Sequence, residues 1–131
     1  EELEACCDGS YIQWLGYRND VKQLLQSSHI MAFPSYYREG LPLSLIEACA
    51  VGLPIVTCDS IGCRDAVDDG VNGFLVPPRD SAALAEKLKV LLVDKSLREA
   101  MGKKGREKAE KEFALQAVVD KHLAIYRKLI V

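Results

Sequence analysis

A short apolar run, Ile30 to Phe33, is followed by an apolar segment from Pro42 to Val51 and then by a second short run, the β-branched Pro54 to Cys58. Pro34-Ser35 closes the first run, and Gly52 is placed to end the helical segment before the second. This order narrows the fold sharply. Two strands joined by a helix run parallel in one sheet, with the helix packed back on a face. Two more strands are expected, Tyr11 to Leu15 closed by Gly16, and Phe74 to Val76 stopped by Pro77-Pro78.

The intervening segments read as helices and turns. Asp20 to Gln26 places Val21, Leu24 and Leu25 on one helical face, and a short helix is expected at Arg64 to Val67. Gly70 and Asn72-Gly73 read as turn residues. Asp80 or Ser81 caps an amphipathic helix through Leu92, with Leu84, Leu88 and Leu91 at helical spacing. From Ser96 the chain is helical, with splits expected near Gly102 to Gly105 and near Phe113. The run Lys103 to Glu112 reads as a solvated helix face. The expected architecture is therefore α/β: a Rossmann-like three-layer parallel sheet of about four strands, helices on both faces and a helical C-terminus.

At 131 residues the chain has the length of one domain and can bury roughly two-thirds of its unfolded surface. Its net charge of −2 leaves no basic surplus to neutralise a phosphate backbone, so nucleic acid is not the expected partner. No apolar run approaches the roughly 18 residues of a membrane span, and no signal peptide is recognisable. A start at Glu1, without Met, suggests that the chain begins inside a longer protein. The five cysteines (Cys6, Cys7, Cys49, Cys58, Cys63) lack zinc spacing. They read as reduced thiols of a cytosolic protein rather than as a metal site shared with His29 or His122.

The chemistry concentrates at Pro42 to Val51. Pro42 suits the first helical position, and Leu41 before it offers no side-chain acceptor, so the first-turn N–H groups lack a local partner. Gly40 permits close approach to that backbone, and the positive helix end favours an anion such as a diphosphate. Leu43, Leu45, Ile46, Ala48, Cys49, Ala50 and Val51 make the helix apolar nearly all round, which predicts burial. Glu47 would then be a buried carboxylate in need of a hydrogen-bond donor. It stands about 7 Å along the axis from Pro42, near the separation of a diphosphate from the ribose hydroxyls of one nucleotide. Glu39, just before the helix, is expected on the other side of the phosphate site, where a sugar would sit. The alternative is that Glu47 pairs with a core Lys or Arg and Glu39 is merely a loop charge.

The stretch Phe33-Pro34-Ser35 followed by Glu39-Gly40-Leu41-Pro42-Leu43-Ser44-Leu45-Ile46-Glu47-Ala48 resembles the Glu-x7-Glu motif of glycosyltransferase family 4, the group 1 enzymes of the GT-B fold. Gly52-Leu53-Pro54-Ile55-Val56, Asp59, Gly62 and Asp69-Gly70-Val71-Asn72-Gly73-Phe74-Leu75-Val76 continue the likeness in order. The resemblance covers at least Gly16 to Asp80. It implies that residues 1–131 are part of the C-terminal nucleotide-sugar-binding domain of a retaining glycosyltransferase. Such an enzyme transfers a hexose or N-acetylhexosamine from a nucleotide sugar to a glycan or glycolipid acceptor held by a separate N-terminal domain. Glu39 would touch the transferred sugar and stabilise charge at the reacting carbon. Backbone amides at Gly40, Leu41 and Leu43, around Pro42, would hold the distal phosphate and nucleoside, and Glu47 would bind the ribose diol.

The resemblance also implies a metal-independent site with no cofactor. It implies a cytoplasmic protein with no membrane span, in an enzyme that can associate peripherally with the inner membrane face. One departure is Gly62-Cys63-Arg64-Asp65, where many members carry Gly-x-Pro-Glu. This version is similar to the subgroup that builds capsule, O-antigen or polyprenyl-linked glycans and points to a UDP-sugar. Arg64 is open as a site residue or a surface charge. Arg18, Lys22 and Arg38 match no motif position. The competing readings are a GT-B relative such as a nucleotide-sugar epimerase, and a non-catalytic flavodoxin-like binding module.

Overall fold

The computed structural model describes residues 11–38 and 40–130, so Cys6 and Cys7 lie outside the described residues. Helix α1 (Val21–Ser27) leads to strand β1 (Met31–Phe33), helix α2 (Leu43–Val51) and strand β2 (Ile55–Cys58). The short α3 (Cys63–Ala66) precedes β3 (Gly73–Val76). Then come α4 (Ser81–Val93), α5 (Lys95–Lys108), a π-helical turn (Ala109–Phe113) and α6 (Leu115–Leu129).

The three described strands form one parallel sheet in the order β1-β2-β3, with Met31 opposite Ile55 and Ile55 opposite Gly73. All four residues of β2 are buried, as expected for a central parallel strand covered on both faces. Alternation along it divides the core in two. Ile55 joins Leu45, Ala48 and Cys49 of α2 and Cys63 and Ala66 of α3 on one face. Val56 and Cys58 join Val76, Leu91 of α4 and Met101 of α5 on the other. Each large apolar side chain so buried contributes about 2 kcal/mol. The buried hydroxyl of Thr57 donates to the Phe33 carbonyl at 2.7 Å, tying β2 to the edge strand.

Several expectations need correction. Tyr11 to Leu15 forms no strand. Tyr11, Ile12, Trp14 and Leu15 are exposed, and among the described residues no strand lies beside them. An extended segment becomes a strand only by pairing. Gly102 and Gly105 do not split their helix either, because α5 runs unbroken through both. A Cβ at Gly102 would fall 2.0 Å from the Gly52 carbonyl oxygen, so glycine is there to let the helix touch a backbone. The second break is real and takes the form of the π-helical turn ending at Phe113.

Asn72 lies in a turn, as expected, but its side chain points inward. It is buried, accepts from the Asp68 N–H at 2.7 Å and donates to the Ala66 carbonyl at 3.0 Å. Asp80, rather than Ser81, caps α4, accepting from the Ala83 N–H at 2.9 Å. Among the described residues no helix is long and apolar enough to cross a membrane.

Candidate functional site

In a parallel sheet of this kind the loops after the strands gather at one end, outside the carboxyl ends. Here those loops are residues 34–38 after β1, 59–62 after β2 and 77–80 after β3. They are cross-linked. The Ser60 hydroxyl donates to the Ser35 carbonyl at 3.4 Å. The Arg64 guanidinium lies 3.0 Å from the Asp59 carboxylate and also donates to the Asp59 carbonyl at 3.3 Å. Arg64 is thus already paired, with both partners about half exposed.

Loop 34–38 feeds α2. Pro42 is not the first helical residue: its ψ of 126° is extended, and its carbonyl accepts from Leu45 at 3.1 Å and Ile46 at 3.4 Å. It is the N-cap, and a proline has no side-chain acceptor to close the helix. Among the described residues the N–H groups of Leu43 and Ser44 have no acceptor. Leu43 is itself 73% exposed, so the first turn opens to solvent. Gly40 is exposed, Leu41 half-buried and Pro42 buried. The far end closes as expected, with Gly52 in the left-handed region at φ 79°.

Glu47 differs from the expectation of a buried carboxylate. Only Leu45, Ala48 and Cys49 of α2 are buried; Ile46, Ala50 and Val51 are half-covered and Glu47 is exposed. Helix α2 turns Leu45, Ala48 and Cys49 into the core with Ile55 of the sheet and Cys63 and Ala66 of α3, which leaves Glu47 on its outward side. Glu47 therefore needs no internal donor, and among the described residues it has no hydrogen-bond or ion-pair partner. It lines an open cavity of about 600 Å³ with Lys22, Leu25 and Gln26 of α1, Ala50 and Val51 of α2, and Arg106 of α5. Arg106 is engaged by the Ala50 carbonyl and by Glu110 at 2.7 Å. No motif marks Lys22 in the sequence; only the packing of α1 on α2 brings it to the cavity that Glu47 lines. Arg18 is held by Asp20, through Nε at 2.7 Å. Glu39 lies outside the described residues.

A second feature at the sheet end had no motif to announce it. Arg79 has φ 64°, alone in the left-handed region among the described non-glycine residues, a conformation costing about 1 kcal/mol. Its guanidinium lies over the Tyr36 ring, 4.6 Å from the centroid, and Tyr36 stacks on Tyr37 at 4.6 Å. The neighbouring Tyr37 hydroxyl and then the Arg79 charge hold the Tyr36 phenol below its ordinary pKa. Beneath lies a cavity of about 270 Å³ lined by Pro34, Cys58, Val76 and Leu84. The signal in sequence was Arg79 between Pro78 and Asp80, at a turn position where glycine would be easier.

Comparison with known proteins identifies the family of the chain. The model of the family described as Glycosyl transferases group 1 matches residues 5–108. The N,N'-diacetylbacillosaminyl-diphospho-undecaprenol alpha-1,3-N-acetylgalactosaminyltransferase of Campylobacter jejuni is 33% identical over 91% of this chain and 31% of its own length. The UDP-Gal:alpha-D-GlcNAc-diphosphoundecaprenol alpha-1,3-galactosyltransferase of Escherichia coli is 32% identical over 89% of this chain and 30% of its own. The chain thus spans about a third of the length of the curated relatives it matches. Among solved structures, HepE from Anabaena in complex with UDP superposes with a TM-score of 0.85 at 26% identity, over 98% of this chain and 35% of that one.

Proposed function

Because the chain belongs to the glycosyl transferases group 1 family, we propose that residues 1–131 form part of the donor-binding domain of a retaining glycosyltransferase. The enzyme would move a hexose or N-acetylhexosamine from a UDP-sugar to a lipid-linked glycan. The observation that carries the reading is the start of α2. Its uncapped, solvent-facing N–H groups at Leu43 and Ser44 stand about one turn from Glu47 on the same helix, exposed and without a partner among the described residues. The diphosphate takes the positive helix end, approached over Gly40 and Leu41. Glu47 accepts hydrogen bonds from the ribose diol. Lys22, in the same cavity, adds positive charge near the nucleoside.

Glu39, set by the motif eight residues before Glu47, contacts the transferred sugar. As the bond to the leaving phosphate breaks, the sugar carbon gains oxocarbenium character. The helix N-terminus then stabilises the charge gathering on the diphosphate, in a site that needs no metal for that task. A second domain carries the acceptor and closes over the donor to exclude water. The UDP and diphosphoundecaprenol in the relatives' names support a UDP donor and an acceptor presented at the membrane face.

The test is titration calorimetry with a panel of nucleotide sugars on the enzyme that carries this chain, repeated with Glu47→Ala. Affinity for a UDP-sugar is expected to fall about tenfold or more with the loss of charged hydrogen bonds. Unchanged affinity would remove Glu47 from the site.

A further inference from the structure

Arg79 occupies a conformation that strains any residue but glycine, on the loop between β3 and the cap of α4. Strain of this kind persists where surrounding contacts over-determine it. The contact at hand is specific: the Arg79 guanidinium sits 4.6 Å from the Tyr36 ring centroid, and Tyr36 stacks on Tyr37 with 28° between the rings. Attraction of a cation to an aromatic face holds such a pair together. The stack reaches from the loop after β3, across the end of β2, to the loop after β1. That second loop, residues 34–38, leads directly to Glu39, Gly40 and the open start of α2.

We propose that Arg79 is a positioning residue for the donor site: through Tyr36 and Tyr37 it fixes the loop at residues 34–38, which sets the approach of the chain to the open start of α2. Arg79 acts through the Tyr36 ring that it covers. Ser60, on the loop after β2, braces the same loop at Ser35, so the Arg79 stack is the outer of two restraints. Losing it frees the outer part of the loop while leaving its base attached. The role rests on the donor-site reading above, and the experiment separates the two.

Hydrogen exchange of the 34–38 loop, thermal stability and steady-state kinetics with a UDP-sugar would be measured on the enzyme carrying this chain. The variants are Arg79→Gly, Arg79→Lys, Tyr36→Phe and Tyr36→Leu. Arg79→Gly is expected to keep or raise the melting temperature, because glycine suits the left-handed backbone. It should nonetheless speed exchange in the loop and lower kcat by about tenfold, since small misplacements of reacting groups are costly. Arg79→Lys and Tyr36→Phe keep the cation and the ring and should restore most of the rate. Tyr36→Leu should match Arg79→Gly, and the double variant should be no worse than either, as coupled residues behave.

Unchanged loop exchange in Arg79→Gly would overturn the clamp. Faster exchange with kcat and KM both unmoved would overturn its role in positioning. Wild-type enzyme that turns over no nucleotide sugar, yet shows the exchange effect, would defeat the donor-site reading and the role built on it, leaving only a structural clamp.

Discussion

The turn around Asn72 and the start of α2 both carry residues of the family pattern, yet they are built in opposite ways. In the turn the polar groups find partners inside the protein. Asn72 serves Asp68, Ala66 and the Cys49 thiol, and the Asp69 carboxylate accepts from the Leu75 N–H at 2.9 Å. Gly73 lies so close to β2 that a Cβ would come within 2.0 Å of the Ile55 carbonyl oxygen. At the helix start the reverse holds. Pro42, the N-cap, has no side-chain acceptor, two N–H groups face outward without an acceptor among the described residues, and Glu47 stands in water. Motif residues that satisfy one another maintain the fold; those left with unused hydrogen-bonding capacity await something outside it.

That contrast can be broken by mutation. Gly73→Ala should be the most damaging change, because the added carbon meets backbone rather than a movable side chain. A loss of about 3 kcal/mol is expected, read as a drop in the denaturant midpoint. Asn72→Ala should cost about 2 kcal/mol by leaving the Asp68 N–H and Ala66 carbonyl without partners. The folded Asn72→Ala enzyme should still bind donor normally; weakened binding would mean that the turn belongs to the site.

Glu47→Gln sharpens the contrast from the other side. Stability should stay within about 0.5 kcal/mol, as for an exposed residue with no partner. Donor affinity should nevertheless drop about tenfold. A large loss of stability there would show that Glu47 has a structural partner after all.

The smallest effect is expected at Lys108, whose side chain is only 11% exposed. Burial works against its charge, but hydrogen bonds to Asp68 and Glu112 prevail and hold its pKa above the ordinary value. Both carboxylates are well exposed, so Lys108→Met leaves them hydrated and should cost about 1 kcal/mol in thermal or chemical unfolding. Donor binding should not change.

The sequence by itself determined the alternation of strands and helices, the parallel sheet, the uncapped helix start and the glycine that ends α2. These follow from local periodicity and backbone chemistry, which a single segment carries with it. Tertiary structure decided the rest. The apolar composition of α2 concealed which side would face water, because exposure depends on what packs against a helix, and so Glu47 was misplaced in the core. Gly102 looked like a breaker because its true neighbour, Gly52, is distant in sequence and comes close only after folding. Tyr11 to Leu15 has the pattern of a strand, but pairing needs a partner that no pattern within the segment can supply. Lys22 in the cavity that Glu47 lines, and Arg79 over Tyr36, are juxtapositions of loops and helices far apart in the chain. Only the packed sheet brings them together.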